Sequence, residues 1–126
     1  MSTPNPHLDT IDEIRALAKL PKGWDSYDGD TADDGAMASA IALVRAMYGR
    51  YPEAPRPEVG LVADGSVMLR WILPTREFEL TYRASGDGGY VVSERQSGRV
   101  IEGSLRDVIN PLNELIAVYV TGPGIW

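Results

Sequence analysis

The sequence lacks cysteine altogether, holds a single histidine, and has neither a long apolar run nor a stripe of basic residues. Without cysteine, disulfide scaffolds, thiolate zinc sites and cysteine nucleophiles are excluded together. His7 stands in a proline-containing lead-in where nothing fixes its position, so neither a Ser-His-Asp arrangement nor a histidine metal site has an anchored member. No segment reaches the roughly 18 apolar residues of a membrane span, and MSTPNPHLDTIDEIR has neither the basic nor the apolar part of a secretory signal. The expectation is a soluble, cytoplasmic protein that does not engage a membrane. Gly88-Gly89 falls in a hairpin turn rather than between a strand and a helix with Lys-Ser/Thr following, so no phosphate-binding loop is present and no cofactor is expected.

The 126 residues suit one domain able to bury its own core, and a hydrophobic content of 44% with 24% charged residues is ordinary for a globular chain. Charge is unevenly placed. Residues 1–35 carry eight acids against Arg15, Lys19 and Lys22, whereas the remaining ten acids and nine bases nearly cancel, for a net charge of -6 overall. Such a segment repels a duplex, which argues against direct nucleic-acid binding.

Residues 1–9 read as a flexible lead-in and 10–126 as a single α+β domain. Thr10 and Glu13 stand in capping-box spacing before a helix over about 11–20, stopped by Pro21 and Gly23. Thr31 and Asp34 repeat the pattern before Met37, Ala40, Ile41, Val44, Met47, Tyr48 and Tyr51, the i, i+3, i+4, i+7 stripe of a second helix. After the stiff PEAPRPE connector the period becomes two: Val59, Leu61 and Ala63, an Asp64-Gly65 turn, then Val67, Leu69 and Trp71. Phe78, Leu80 and Tyr82 alternate with Glu77, Glu79, Thr81 and Arg83, which predicts a strand with one apolar and one charged face. Tyr90-Val91-Val92 and Val100-Ile101 complete a four- to five-stranded antiparallel meander, and Ser104 with Asp107 begins another helical turn. A C-terminal helix from Pro111 to about Val120 carries Leu112, Leu115, Ile116 and Tyr119 as its apolar stripe. Two N-terminal helices, a meander and a closing helix imply that the helices cover one sheet face.

The stretch KGWDSYDGDTADDG, residues 22–35, concentrates acids and aromatics. Frames starting at Asp25, Asp28 or Asp30 place Ala36, Ser39 or Ile41 where an EF-hand needs its bidentate glutamate, so no calcium loop of that kind is present and no metal is expected. Asp33 and Asp34 suit the positive end of the second helix. Trp24 and Tyr27 are read as aromatic plugs between the first helix and the sheet, with a recognition hot spot as the alternative. Glu77 and Glu79 point the same way from one strand onto a solvated face, which is poor geometry for a catalytic carboxyl pair.

The segment Gly23-Trp24-Asp25-Ser26-Tyr27-Asp28-Gly29, followed by a helix, a Pro-rich connector and Asp64-Gly65-Ser66-Val67-Met68-Leu69-Arg70-Trp71, resembles small bacterial and phage-borne proteins of unassigned function that read G-W-D-G-Y-G-A and then D-G-G-V-x-L-E-W. The likeness spans about residues 20–92 and departs at Ser26, Asp28 and Arg70. It implies an accessory protein from a mobile-element setting and brings no catalytic residue.

Together these features point to a non-catalytic, acidic interaction module that binds a protein partner with a basic surface. An anti-CRISPR-like inhibitor of a host defence complex or an antitoxin-like neutraliser would act in this way. Its candidate contact residues are Asp25, Tyr27, Asp28 and Asp30 in the acidic stretch and Arg70, Glu77, Glu79 and Arg83 on the charged sheet face. The alternatives are a small metal-dependent or carboxylate hydrolase using Asp25, Asp28 and Asp30, and a homodimer joined through a free sheet edge.

Overall fold

Proline opens two of the helices in this protein. The computed structural model describes residues 5–26, 29–83 and 87–121. Helix α1 (Pro6–Ala16) begins where Asn5, in extended backbone, accepts a hydrogen bond from the Leu8 N–H at 3.2 Å and Pro6 supplies a preset φ at the first helical position. The start thus lies inside the segment read from sequence as a flexible lead-in. Thr10, expected as the cap, is instead a fully buried mid-helix residue whose hydroxyl donates to the Pro6 carbonyl. His7 is correspondingly fixed, stacked on Tyr48 with ring centroids 5.5 Å apart. A 3-10 turn (Leu17–Lys19) follows α1 before the chain becomes extended at Leu20.

Helix α2 (Asp34–Arg50) is capped by Asp33, whose carboxylate accepts from the Ala36 N–H at 2.8 Å, rather than by Thr31. Its buried residues Met37, Ala40, Leu43, Val44, Met47 and Tyr48 lie on one stripe. Arg56, in the connector after α2, is ion-paired with Asp9 and Glu13 of α1.

Five antiparallel strands follow in sequential order: β1 (Glu58–Leu61), β2 (Val67–Ile72), β3 (Arg76–Tyr82), β4 (Gly88–Glu94) and β5 (Val100–Ser104). Register aligns Leu69 with Leu80, Trp71 with Phe78, and Phe78 with Val92, so their side chains share one face, and all five are buried. Helix α2 packs on β2 and β3. The C-terminal helix (Leu112–Val120), which follows Pro111, is wound more widely than an α-helix. Its Thr121 N–H reaches back five residues to the Ile116 carbonyl, and the wider turn buries Val120 with Leu115 and Ile116.

Phe78 is the centre of this packing. Its ring meets Trp71, Tyr90 and Tyr119 at centroid distances of 5.6, 6.5 and 5.7 Å, and the Trp71 indole N–H is satisfied by the Pro55 carbonyl at 3.0 Å. Alternate residues face the other way. Met68, Arg70, Ile72, Glu77, Glu79, Thr81, Val91, Ser93 and Glu102 are all half-buried or exposed, so this second face of the sheet is open.

Phe78→Ala is expected to lower the unfolding free energy by about 3–5 kcal/mol, the range for removing a core aromatic, read from urea denaturation. A loss below about 1 kcal/mol would show that the ring is not central to the core.

Candidate functional site

The acidic stretch is built around glycine and main-chain bonds. The Gly23 N–H bonds to the Gly29 carbonyl at 2.7 Å, Gly23 and Ser26 both take positive φ, and the Asp25 carboxylate accepts the Gly29 N–H at 3.0 Å. The Trp24 indole N–H donates to the Asp30 carbonyl at 2.9 Å. A Cβ on Gly29 would strike both the Asp25 carboxylate and the Trp24 indole, which leaves glycine as the fitting residue there. Trp24 itself is half-exposed and outside the apolar core, which corrects the sequence reading of it as a core plug. Its ring serves as a brace within the loop. Tyr27 and Asp28 lie outside the described residues.

This loop docks on the turn of the β1–β2 hairpin. Asp30 donates its N–H to Ala63 at 2.7 Å and Asp33 donates to Gly65 at 2.9 Å. Gly65 sits at φ +87°, and a Cβ there would come within 2.7 Å of the Thr31 carbonyl, so both conformation and space require glycine. Within the turn, the Asp64 carboxylate accepts the Ser66 N–H at 2.9 Å. The bonds from Ser66, side chain first and then backbone, hold the Asp64 carboxyl below its ordinary range. Residues 29–33 and the 62–66 turn thus form a single junction, which their glycines and aspartates build.

On the open sheet face, Arg70 lies directly across from Glu79 but bonds diagonally to Glu77 at 2.8 Å, and Arg95 approaches the same Glu77 at 3.8 Å. The Arg70 hydrogen bond draws the Glu77 carboxyl below its usual range, and Glu77 in turn raises Arg70. Glu79 has no ion pair among the described residues. Beside it the face forms a shallow dish of about 370 Å³ whose charged lining is Asp64, Glu79 and Glu102 with Arg83. Asp64 and Glu102 were not singled out in the sequence. The alternation that exposed Glu77 and Glu79 extends to Glu102 only through the β3–β4–β5 register, and Asp64 was read as a turn former alone.

The dish and the acidic loop are neighbours, because Asp30 and Asp64 flank the same turn: the Asp30 Cβ lies 3.8 Å from where a Gly65 Cβ would be. Asp64, Glu79 and Glu102 thus line the dish, and Asp30 stands beside the turn that carries Asp64, which links two stretches that the sequence left separate. Among the described residues no three histidine, aspartate or glutamate side chains gather as a metal site would require. None of the described helices is long and apolar enough to cross a membrane. Comparison with protein-family models, with curated proteins and with solved structures finds no match in any of the three.

Trp24→Ala is expected to cost about 1–2 kcal/mol, one hydrogen bond and partial aromatic burial, well short of a core aromatic. Urea titration beside Phe78→Ala distinguishes the two, and equal losses would restore Trp24 to the core.

Asp64 also predicts a pH response. With its folded pKa depressed, its contribution to stability is complete above the ordinary value of 3.8 and is lost as pH falls from there through the folded value. Asp64→Asn, which keeps an oxygen for the Ser66 N–H, should flatten the acid side of a stability-against-pH curve. An unchanged acid limb would mean that the Ser66 bonds do not favour the charged form.

Proposed function

We propose that the protein is a non-catalytic interaction module that meets a basic surface on a protein partner with the acidic side formed by Asp30, Asp64, Glu79 and Glu102. The carrying observation is that Asp64, Glu79 and Glu102 line the dish while Asp30 stands at the adjoining 62–66 turn, with Arg83 the one basic residue among the described lining residues. A cluster of one sign beside an open sheet face raises the encounter rate with an oppositely charged surface and discourages like-charged ones. Partners whose positive surface ordinarily holds nucleic acid fit this chemistry, and covering such a surface would inhibit them. The inhibitor or neutraliser role suggested by the sequence belongs to this reading.

Affinity capture from the native host followed by association kinetics tests it. Asp25 is left in place because its carboxylate builds the loop. The triple change Asp30→Asn, Asp64→Asn and Glu79→Gln should slow association with the captured basic partner by about tenfold at low salt and flatten the salt dependence, with the dissociation rate little altered. Wild-type association by the triple variant, or capture that returns no basic protein, would overturn the proposal.

A further inference from the structure

β5 is the last strand of the sheet, and no described strand lies beyond it. In an antiparallel ladder, successive residues direct their N–H and C=O groups to one neighbour and then to the other. The Glu94 N–H bonds to the Arg99 carbonyl at 2.9 Å, which makes these two a hydrogen-bonded pair. Counting along the register of Ser93 with Val100, Val92 with Ile101 and Val91 with Glu102, the main-chain groups of Ile101 and Gly103 point inward to β4. Those of Val100, Glu102 and Ser104 point outward, and a row of outward peptide groups is a template for another strand.

The two edges of the sheet differ. β1 follows Pro55 and Pro57, and Arg56 between them is tied to α1 through Asp9 and Glu13. Proline and a crossing element are the usual protections of an edge. β5 has neither proline nor lysine, and its first residue, Val100, is 54% exposed.

We infer that two copies of this chain join edge to edge through β5, antiparallel, about a two-fold axis at Ile101. A two-fold axis must pass through one residue of the strand if facing side chains are to share a side of the sheet. An axis at Glu102 would set two like carboxylates face to face. An axis at Val100 would place Glu102 opposite Gly98, which lies in the turn at φ +69° and outside the strand. At Ile101 the outward groups of Val100 meet those of the partner's Glu102, and the reverse, giving two reciprocal hydrogen-bonded pairs. Ile101 then faces the partner's Ile101 on the core side, while on the open side Val100 lies diagonally beside the partner's Val100. Because Glu102 and Gly103 help line the acidic dish, this pairing sets two dishes side by side across the seam.

Both copies carry a charge of -6, so long-range repulsion opposes pairing and is screened as salt rises. Self-association should therefore strengthen with salt, the opposite of binding to a basic partner, and it is measured on the purified chain alone, so the two ideas fail separately. Sedimentation velocity over a range of protein concentration and salt is expected to show a reversible monomer–dimer equilibrium that shifts toward dimer at higher salt. Val100→Glu, at an exposed position, sets a like charge directly opposite the partner's Glu102 at both pairs and should weaken the dimer by about tenfold at low salt, with an unchanged melting curve for the monomer. Ile101→Cys would introduce the sole thiol of the chain; mild oxidation should cross-link it efficiently, because facing residues of a non-hydrogen-bonded pair lie about 4.5 Å apart at Cα, within disulfide reach. Glu102→Cys should cross-link far less. A monomer at all concentrations and salts, a dimer indifferent to Val100→Glu, or more efficient linkage through Glu102→Cys would overturn the inference.

Discussion

Two main-chain hydrogen bonds, from Asp30 to Ala63 and from Asp33 to Gly65, tie the loop that enters α2 to the turn that closes the β1–β2 hairpin. Asp33 takes part in both structures at once, since its carboxylate caps α2 while its backbone N–H holds the hairpin. α2 is thereby tied to the hairpin turn at its cap residue as well as packed on β2 and β3. Gly65 makes the contact feasible, because any larger residue would push the Thr31 carbonyl away and loosen the joint. Local sequence choices in two segments more than thirty residues apart thus agree on one geometry, which is the kind of consistency that narrows a chain to one fold.

The period-two pattern made the sheet legible: Val67, Leu69 and Trp71 against Phe78 and Leu80 differ so clearly in polarity from Arg70, Glu77 and Glu79 that a half-open antiparallel sheet in an α+β protein follows from alternation. Helix ends were less legible. Asn5-Pro6 combines a side-chain cap with a preset φ and begins α1 ahead of the Thr10 and Glu13 spacing, because a capping-box pattern competes with any better start upstream. Trp24 misled because a large aromatic in a loop implies burial, whereas here one polar atom, the indole N–H, finds the Asp30 carbonyl and the ring stays half outside. The wide winding of the C-terminal helix left no mark in its composition. Of the candidate site, Arg70, Glu77, Glu79 and Arg83 were readable as one charged face. Their joining to Asp30, Asp64 and Glu102 was not, since it depends on the docking of two loops and on the register of three strands.

The acidic residues divide into two groups once their bonds are known. Asp25 builds the loop, Asp33 caps a helix, and Glu77 is drawn toward Arg70, so much of their charge is committed within the fold. Asp64 is intermediate, bonded to Ser66 yet lining the dish. Asp30, Glu79 and Glu102 make no ion pair among the described residues; Glu79 and Glu102 line the dish, and Asp30 stands beside the turn next to it. Net charge alone therefore overstates the surface available to a partner, while the arrangement of the uncommitted carboxylates identifies it.

An edge strand can act as a template only if it is held in shape, and β5 is held from below. A Cβ at Gly103 would fall within the Tyr90 ring, so glycine lets that ring lie across β5 while its other side meets Phe78 at a centroid distance of 6.5 Å. Through Tyr90 the outermost strand is anchored to the central aromatic of the core. At the start of β4, Gly88 likewise admits the Thr81 carbonyl and the Leu105 side chain into space that a Cβ would occupy, which brings the 3-10 turn after β5 (Leu105–Asp107) against the sheet. Arg106 of that turn is ion-paired to Asp87 at 3.0 Å, beside the start of β4. Fixing β5 at both its floor and its end lowers the conformational entropy that pairing would otherwise have to offset. The same anchoring steadies Glu102, so the geometry that readies the edge for a second strand also sets one wall of the acidic dish.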